Sequence, residues 1–451
     1  MKAVVLGAGE SGVGAAILAK DKGYEVFVSD MGTIKPKYIA VLDNEGIEYE
    51  SGQHTTEKIL DADIAIKSPG IPNDAPMIQR LAQAGIPVIS EIEFAGRYTD
   101  SKMICITGSN GKTTTTILTH HILRHGGIDA GLAGNIGNSL AYQVARDPHP
   151  VYVIELSSFQ LDNMYDFKAD IAILLNITPD HLDRYDYKFE NYAEAKFRII
   201  QNMTENDAFI YWDEDRQIRD RVNDGRKIKA IRYPFAEKCN DTDVLPNGFV
   251  SDGNVIIRTP DKECMKFPLE TLALKGTHNL YNSIAATLAA RLMGIPDETI
   301  CSALSDFKGV EHRLEYVATI DGIRYINDSK ATNVDSAYYA LGAMTTPTVL
   351  ILGGKDKGND YNAILPLVKE KVKAIVAMGL HNEKIIDFFS PHVPVTGTDN
   401  LADAIDLCKK YASSGDTVLL SPCCASFDLF SSYEDRGRQF KDAVNKLICS
   451  E

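Results

Sequence analysis

Short apolar runs alternate with glycine-containing turns and amphipathic stretches along most of the chain. Residues 2–6 form the first run, which ends at a glycine-rich turn at 7–12, and a helical pattern then continues to Lys20. Further strand-length runs cover 24–29, 64–66, 102–106, 151–155, 171–175, 348–352 and 417–420, and helical patterns cover 77–84, 279–293 and a charged segment ending near Ile448. This alternation predicts an α/β fold with parallel sheets and ligand loops at the carboxyl ends of the strands.

The pattern restarts twice, which predicts three consecutive domains at 1–92, 93–308 and 309–451. A chain of 451 residues also exceeds what one hydrophobic core usually supports. We expect a Rossmann-like first domain, a central P-loop-type mononucleotide-binding domain with a mostly parallel sheet, and a Rossmann-like third domain. Alternating runs and Asp-Gly or Asn-Gly turns at 207–267 predict antiparallel strands at the edge of the central domain, and a hairpin about Asp321-Gly322 should open the third.

The composition of the chain limits the kinds of molecule that it can bind. The net charge of −15 repels a nucleic-acid backbone, so an anionic substrate must be held by local cations and backbone amides. The eight cysteines are scattered without CxxC spacing, which indicates reduced thiols. No apolar run approaches the roughly 20 residues that cross a bilayer. We therefore expect a cytoplasmic protein with no nucleic-acid partner and no membrane span. We also expect a monomer.

The segment Thr107–Thr113 carries the sharpest chemical signal. It lies between a buried-strand run and a helical pattern, where glycines allow backbone N–H groups to turn towards phosphate oxygens. Lys112 would then contact the β- and γ-phosphates, and the hydroxyl of Thr113 or Thr114 could bind Mg²⁺. The pattern is a shortened variant, because Ile106 stands where a glycine is usual. The alternative is an ordinary turn with a solvated lysine.

Two further side chains follow neighbouring strand patterns. Glu155 ends the run at 151–155, where a carboxylate would suit Mg²⁺ beside the phosphate loop; the alternative is a glutamate in solvent. His181 follows the run at 171–175 and could bind a metal as a neutral imidazole, or could be a loop or capping residue.

The turn at 7–12 matches GxGxxG, and Asp30 follows at the spacing of a dinucleotide-binding fold. The match is weak evidence for NAD, since the helix N-terminus behind such a turn accepts any pyrophosphate, including that of a uridine nucleotide sugar.

Seven motifs, taken in order, resemble the Mur ligase family. They are TGSNGKTTT, IELSSFQL, NITPDHLDR, YAEAKFRI, GTHNLYNS, His312-Arg313 and INDSKATN. The ending SPCCASFDLFSSYEDRGRQF, the glycine turn of the first domain and the absence of a DNPR segment are similar to the D-glutamate-adding branch of that family. The likeness runs through nearly the whole chain.

The resemblance implies an ATP-dependent ligase of peptidoglycan precursor synthesis. Its substrates would be UDP-N-acetylmuramoyl-L-alanine and D-glutamate, joined through an acyl phosphate. It also implies two Mg²⁺ ions and a carbamylated Lys196, which would place the second ion. The implied catalytic residues are Lys112, Glu155, His181 and Lys196, with Thr113, Glu155, His181 and Lys196 at the metals.

The resemblance further implies two sets of binding residues. ATP would contact Gly108, Asn110, Gly111, Lys112, Thr113, Thr114, Asn279, Asn282, Arg313 and Asp328. The uridine diphosphate would face Ser11, Ser68, Gly70 and Asn135, and the phosphate and D-glutamate would face Lys330, Thr332, Lys357, Ser426, Phe427 and Tyr433. Lys355 is an alternative to Lys357 as the partner of the D-glutamate carboxylate. The chain departs from the family pattern at Glu10, in the glycine turn, and at Gly32, where an arginine after Asp30 would be usual, so the motif does not identify the uracil contacts.

Three other functions stay open on the sequence. An NAD-dependent oxidoreductase would use the first glycine turn. A folylpolyglutamate-synthase-like ligase would share the central motifs but would lack a uridine-binding first domain. A nucleotide-sensing protein would bind ATP without turnover.

Overall fold

The structure is a computed structural model and describes residues 1–238, 246–260, 262–356 and 358–448. These residues form two compact units, Met1–Ala273 with Asn279–Phe307 and Leu274–His278 with Lys308–Glu451. The first unit holds two sheets and the second unit holds one. The boundaries proposed at 92 and 308 stay a prediction.

The first sheet has five parallel strands in the order β3-β2-β1-β4-β5. The strands are β1 Lys2–Leu6, β2 Glu25–Asp30, β3 Glu48–Ser51, β4 Ile64–Lys67 and β5 Val88–Ser90, and the helices are α1 Glu10–Asp21, α2 Pro36–Glu45, α3 Thr56–Leu60 and α4 Pro76–Gln83. The strand order reverses between β1 and β4, so the glycine turn after β1 opens into the crevice where such sheets bind ligands.

The central sheet has nine strands in the order β14-β13-β12-β11-β10-β9-β6-β8-β7. The strands are β6 Lys102–Thr107, β7 Ala130–Gly134, β8 Val151–Glu155, β9 Ile171–Leu174, β10 Ala208–Trp212, β11 Ile231–Lys238, β12 Gly248–Ser251, β13 Asn254–Ile257 and β14 Met265–Pro268. The helices are α5 Glu91–Gly96, α6 Lys112–His125, α7 Leu140–Arg146, α8 Ser158–Leu161, α9 Phe189–Phe197, α10 Arg216–Val222, α11 Thr277–Leu292 and α12 Asp297–Asp306. Because β6 lies between β8 and β9, the ends of all three strands meet at one edge.

The prediction of antiparallel strands throughout 207–267 is wrong in part. Strand β11 pairs in parallel with both β10 and β12. Strand β13 pairs antiparallel with both β12 and β14. Helix α10 provides the crossover that a parallel pair requires, so Asp224-Gly225 follows a helix instead of closing a hairpin. The Asp252-Gly253 turn does join two antiparallel strands.

The third sheet, in the second unit, has six strands in the order β15-β16-β20-β17-β18-β19. The strands are β15 Glu315–Ile320, β16 Ile323–Asn327, β17 Thr348–Gly353, β18 Val372–Met378, β19 Val395–Thr398 and β20 Thr417–Cys423, and the helices are α13 Val334–Gly342, α14 Leu365–Lys371, α15 Glu383–Phe389, α16 Leu401–Tyr411 and α17 Tyr433–Ile448. The predicted hairpin about Asp321-Gly322 joins β15 to β16, and the other pairs are parallel. The α/β class is confirmed.

Apolar residues of both faces of these sheets form the cores. Buried side chains of α1, α5 and α7 join the first and central sheets in one cluster, which includes Ile17, Phe94 and Leu140. Among the described residues, none of the helices has both the length and the apolar character that a membrane crossing needs.

Candidate active site

The loop between β6 and α6 is a compact turn at the point where three strands end. Gly111 precedes α6 with φ +84°, and a Cβ atom there would lie 2.4 Å from Asn282 Oδ1. Only glycine therefore fits the position without displacing the neighbouring helix. The turn presents the N-terminus of a 14-residue helix, whose first N–H groups and dipole favour an anion.

Residues after β9 hold this loop in place. Asn176 Oδ1 accepts a hydrogen bond of 2.8 Å from Asn110 N–H, and Asn176 Nδ2 donates one of 3.0 Å to the Asn110 carbonyl. Ser109 Oγ donates to the Thr178 carbonyl and accepts from Thr178 N–H, both at 2.9 Å. The Tyr192 hydroxyl lies 3.0 Å from the same oxygen. The loop is thus fixed by side chains that the sequence reasoning did not single out.

Two lysines meet at the loop carbonyls. Lys112 Nζ donates to the carbonyl oxygens of Gly108 and Ser109, each at 2.8 Å. Lys196 Nζ, from α9, donates to the same Gly108 oxygen at 2.8 Å, and its side chain is fully buried. Burial and, next, the Lys112 ammonium lower the pKa of Lys196 well below the usual value of a lysine. The neutral amine is therefore more accessible at Lys196 than at an exposed lysine.

A buried carboxylate lies beside the first turn of α6. Glu155, at the end of β8, accepts a hydrogen bond of 2.7 Å from Thr113 Oγ1 and one of 2.9 Å from Asn135 Nδ2. In the described part of the chain, Thr114 Oγ1 is buried and makes no hydrogen bond. Hydroxyl and carboxylate oxygens at a phosphate loop are the donor set that Mg²⁺ prefers, so these residues fit the ion.

His181 lies in the segment between β9 and α9. Its backbone has φ +51°, its Nε2 lies 3.6 Å from Asp180 Oδ2, and its ring packs edge-on against Phe159. About a third of its side chain is exposed. Asp180, Glu155 and Asp162 act electrostatically on Lys196 and oppose the fall in its pKa.

Two asparagines of α11 lie behind the loop. Asn282 is buried, accepts a hydrogen bond of 3.1 Å from Thr115 Oγ1 and donates one of 3.4 Å to Asn279 Oδ1. The predicted adenine-side residues are thus neighbours, and Asn282 contacts the helix that begins at the loop.

The first sheet carries a separate cavity of about 820 Å³ at its switch point. Ser68 and Gly70 line it together with Asp30, His54 and Arg80. The side chains of Gln53, His54 and Arg80 had no distinguishing pattern in the sequence. Ser11 lies in the first turn of α1, and Asn135, predicted to face uridine diphosphate, donates to Glu155 in the central domain.

The carboxylate of Asp30 is already engaged with backbone. It accepts hydrogen bonds from Ala8 N–H at 2.7 Å and from Gly32 N–H at 2.8 Å. A Cβ atom at Gly12 would lie 1.8 Å from the Gly7 carbonyl, so the turn requires glycine there. Asp30 thus stabilises the turn and the residues after β2.

In the second unit, Asp328 is a buried carboxylate at the end of β16. It accepts hydrogen bonds of 2.9 Å from Ser421 Oγ and 3.2 Å from Leu314 N–H. Burial raises its pKa to about 7, and the Arg313 guanidinium opposes that rise. The predicted pair Arg313 and Asp328 is thus in electrostatic contact.

The predicted amino-acid residues gather in the same unit. Lys330 Nζ lies 5.0 Å from the centre of the Tyr433 ring, and Thr332 N–H bonds the Lys330 carbonyl. Ser426 is buried and Phe427 is 70% exposed. Lys355 has an exposed side chain and pairs through its backbone with Ala425. Lys357 lies outside the described residues.

Arg436 connects these segments and was not found from the sequence. It is 1% exposed and donates to Ser329 Oγ at 2.9 Å, to the Ser329 carbonyl at 2.8 Å and to the Cys424 carbonyl at 3.2 Å. It therefore fixes the segment after β16 against the segment after β20.

The chain is similar to known proteins over almost its whole length. Family models described as Mur ligase MurD-like N-terminal domain, Mur ligase middle domain and Mur ligase glutamate ligase domain match residues 1–90, 106–290 and 312–424. The UDP-N-acetylmuramoylalanine--D-glutamate ligase of Bacteroides fragilis is 61% identical over 446 residues, which cover 98% of this chain and 99% of that protein. The enzyme with the same name from Porphyromonas gingivalis is 54% identical, covering 98% of each chain.

Solved structures share the fold at lower identity. UDP-N-acetylmuramate-alanine ligase from Thermotoga maritima matches with a TM-score of 0.62 and 19% identity, covering 100% of both chains. MurF ligase from Thermotoga maritima, in complex with ADP, matches with a TM-score of 0.59 and 16% identity, covering 93% of this chain and 95% of that one.

Proposed function

Because the chain belongs to the Mur ligase family, as its 61% identity to a full-length relative requires, we propose that it joins D-glutamate to UDP-N-acetylmuramoyl-L-alanine at the expense of ATP. The reaction belongs to peptidoglycan precursor synthesis. We further propose that it proceeds in the cytoplasm, in a monomer of three domains at 1–92, 93–308 and 309–451.

The chemistry requires activation of a carboxylate. A carboxylate is a poor electrophile, because it is negatively charged and would have to expel an oxide. Transfer of the γ-phosphoryl group of ATP to one carboxylate oxygen forms an acyl phosphate and ADP. The amine of D-glutamate then attacks the carbonyl carbon, and the C–O bond to phosphate breaks, which yields the amide and inorganic phosphate.

The convergence of Lys112, Lys196 and Glu155 on the β6–α6 loop is the observation that carries the proposal. The loop amides and Lys112 would hold the β- and γ-phosphates. The Lys112 ammonium would then donate hydrogen bonds to phosphate oxygens in place of the loop carbonyls that it now contacts. Phosphoryl transfer depends mainly on positioning and charge stabilisation, which a fixed loop at a helix N-terminus provides.

Mg²⁺, when bound, would screen the negative charges of the phosphates and the acceptor carboxylate. Thr113 and Glu155 would hold one ion. His181 and a carbamylated Lys196 would hold a second.

The surroundings of Lys196 support carbamylation. Its lowered pKa favours the neutral amine, whose nitrogen lone pair can attack the carbon of CO₂ with loss of one proton. The product is an anion. As an anion it would attract the Lys112 ammonium, which bonds the same Gly108 carbonyl.

The uridine diphosphate and the rest of ATP are assigned to residues outside the phosphate loop. The uridine diphosphate group would occupy the cavity lined by Ser68 and Gly70, with Ser11 at the helix N-terminus. Asn135 would act through Glu155, to which it donates. Asn279, Asn282, Arg313 and Asp328 would bind ATP.

D-Glutamate and the transferred phosphate would contact residues of the second unit. This set is Lys330, Thr332, Ser426, Phe427 and Tyr433, with Lys355 or Lys357 on the side-chain carboxylate.

The oxidoreductase alternative requires the Asp30 carboxylate to bind the ribose of a nicotinamide dinucleotide. Asp30 is less suited to that role, because its carboxylate already accepts hydrogen bonds from two backbone N–H groups.

Phosphate release in four parallel reactions tests the proposal. Each contains enzyme, ATP and Mg²⁺, with UDP-N-acetylmuramoyl-L-alanine and D-glutamate, the nucleotide and L-glutamate, the nucleotide alone, or D-glutamate alone. We expect sustained release only in the first. Release with L-glutamate would contradict the assignment, and so would release in an additional reaction that contains a folate substrate in place of the nucleotide. ATP binding without phosphate release would favour a nucleotide sensor.

A further inference from the structure

Two histidines and an aspartate cluster on the surface of the first unit, away from the loop. His121 and His125 lie one turn apart near the C-terminus of α6, and Asp306 is the last residue of α12. His121 Nε2 lies 2.8 Å from Asp306 Oδ1, and His125 Nδ1 lies 3.7 Å from Asp306 Oδ2. One ligand atom from each residue lies within 4.8 Å of the other two.

The spacing of the three residues suits a transition metal. Positions four apart on a helix project from the same face, so both imidazoles point towards the end of α12. Zinc bonds to nitrogen and oxygen of roughly 2.0–2.2 Å place the ligand atoms of a tetrahedral site roughly 3.3 Å apart. Small side-chain rotations therefore bring the three atoms into range.

The surroundings leave the cluster accessible and partly oriented. The side chains of both histidines are 33% exposed and that of Asp306 is 51% exposed, so solvent can supply a fourth ligand. The His121 ring packs against Phe307, with 5.3 Å between the ring centres. This contact restricts the orientation of one imidazole.

We propose that His121, His125 and Asp306 form a binding site for a divalent transition-metal ion of the Zn²⁺ type. Two imidazoles and one carboxylate match the ligand preference of Zn²⁺ and Co²⁺, whereas Mg²⁺ prefers oxygen ligands alone. The ion fastens the C-terminal end of α6 to the end of α12. It thereby stabilises the helix whose other end begins at the phosphate loop.

This site is separate from the proposed catalytic centre. His121 is nine residues beyond Lys112 on the same helix, which corresponds to roughly 13 Å along its axis. The proposal therefore stands or fails independently of the ligase function.

A second cluster in the described residues contains Glu311, His312 and Glu315. There the Lys441 ammonium already bonds both glutamates, at 2.5 Å and 2.9 Å, and its charge opposes a cation. Glu311→Gln is therefore a control that removes a carboxylate from the competing cluster.

Titration with Co²⁺ under excess Mg²⁺ tests the proposal, because Mg²⁺ occupies oxygen-rich sites and Co²⁺ reports imidazole ligation in its visible absorption. In the full-length protein, in addition to Co²⁺ held at His181, we expect one imidazole-ligated Co²⁺ per chain that depends on His125 and Asp306 and is displaced by Zn²⁺. His125→Gln and Asp306→Asn should each lower the Co²⁺ affinity at least ~10-fold. Glu311→Gln and His392→Gln, the latter removing an exposed imidazole, should leave it unchanged.

Thermal unfolding gives an independent readout. Zn²⁺ should raise the unfolding midpoint of the unmodified protein and of both control variants, but not of His125→Gln or Asp306→Asn. Equal Co²⁺ binding in all five proteins, or no imidazole-type absorption in the unmodified protein, would overturn the proposal and leave a histidine–aspartate hydrogen bond only.

Discussion

Glu91→Gln should make the protein more stable at neutral pH than the unmodified chain. Glu91 begins α5 and is 4% exposed. Its Oε1 accepts hydrogen bonds of 2.8 Å from Ser139 Oγ and 2.6 Å from Ala141 N–H, at the start of α7. Glutamine retains an Oε1 acceptor for both bonds but carries no charge.

The magnitude follows from the pKa of the buried carboxyl. Burial raises the pKa of Glu91 from 4.5 to about 7, which corresponds to roughly 3 kcal/mol. Because the folded-state pKa lies above the unfolded one, the protonated carboxyl contributes stability that is fully present below about pH 4.5 and is lost as the pH rises through about 7. The glutamine variant has no carboxyl group to deprotonate at this position, so it does not lose this stability. Its free energy of unfolding, relative to the unmodified protein, should therefore rise by about 3 kcal/mol across that window.

Urea denaturation from about pH 5 to about pH 8 measures this difference, since other titrating groups cancel between the two proteins. The chain has one tryptophan, Trp212 in β10, so its fluorescence reports the unit that contains Glu91. Glu93→Gln is the matched control.

Glu93 lies on the same helix, and both of its oxygens accept hydrogen bonds, including those from Tyr165 and Phe167 N–H. An amide there cannot accept at both atoms, so this variant should be destabilised. A difference for Glu91→Gln that does not change with pH, or a variant less stable than the unmodified protein at about pH 8, would refute the reasoning.

Three further substitutions test the phosphate loop and its buried lysine. Lys112→Ala should abolish turnover in the phosphate-release assay, and near-normal activity would contradict a role of the loop in the mechanism. Asn176→Ala loses two hydrogen bonds to Asn110, at about 1 kcal/mol each, so calorimetry should find ATP bound roughly 30-fold more weakly; unchanged affinity would show that the clamp is dispensable. Lys196→Arg keeps a cation that cannot be carbamylated and should lower the turnover number at least ~100-fold with little change in ATP affinity, whereas an active variant would contradict the carbamate.

Strands with a clear apolar run were predicted most readily, and two edge strands show why others were missed. Strand β3 has the sequence EYES and lies at the edge of its sheet, so it carries no buried-strand pattern. Strand β7, AGLAG, is made almost entirely of small residues, and it too lies at an edge. Pairing with a neighbour, which a single-strand pattern does not encode, makes both of them strands.

The candidate site was predicted as separate motifs, and the contacts between them were not. Lys112 and Glu155 were found because each follows a strand pattern. Asn176 was within a recognised motif, yet its role in clamping Asn110 depends on β9 lying beside β6. The burial of Lys196 and Arg436 depends on packing, since charged residues on helices are most often exposed.

Transfer of ¹⁸O from the acceptor carboxylate tests the central claim most directly. UDP-N-acetylmuramoyl-L-alanine labelled in both oxygens of its carboxylate would be incubated with the enzyme, ATP, Mg²⁺ and D-glutamate, and the released phosphate analysed by mass spectrometry. The account predicts one ¹⁸O atom in each phosphate, with the other kept in the new amide. Unlabelled phosphate, released in step with amide formation, would contradict activation of the carboxylate by phosphorylation.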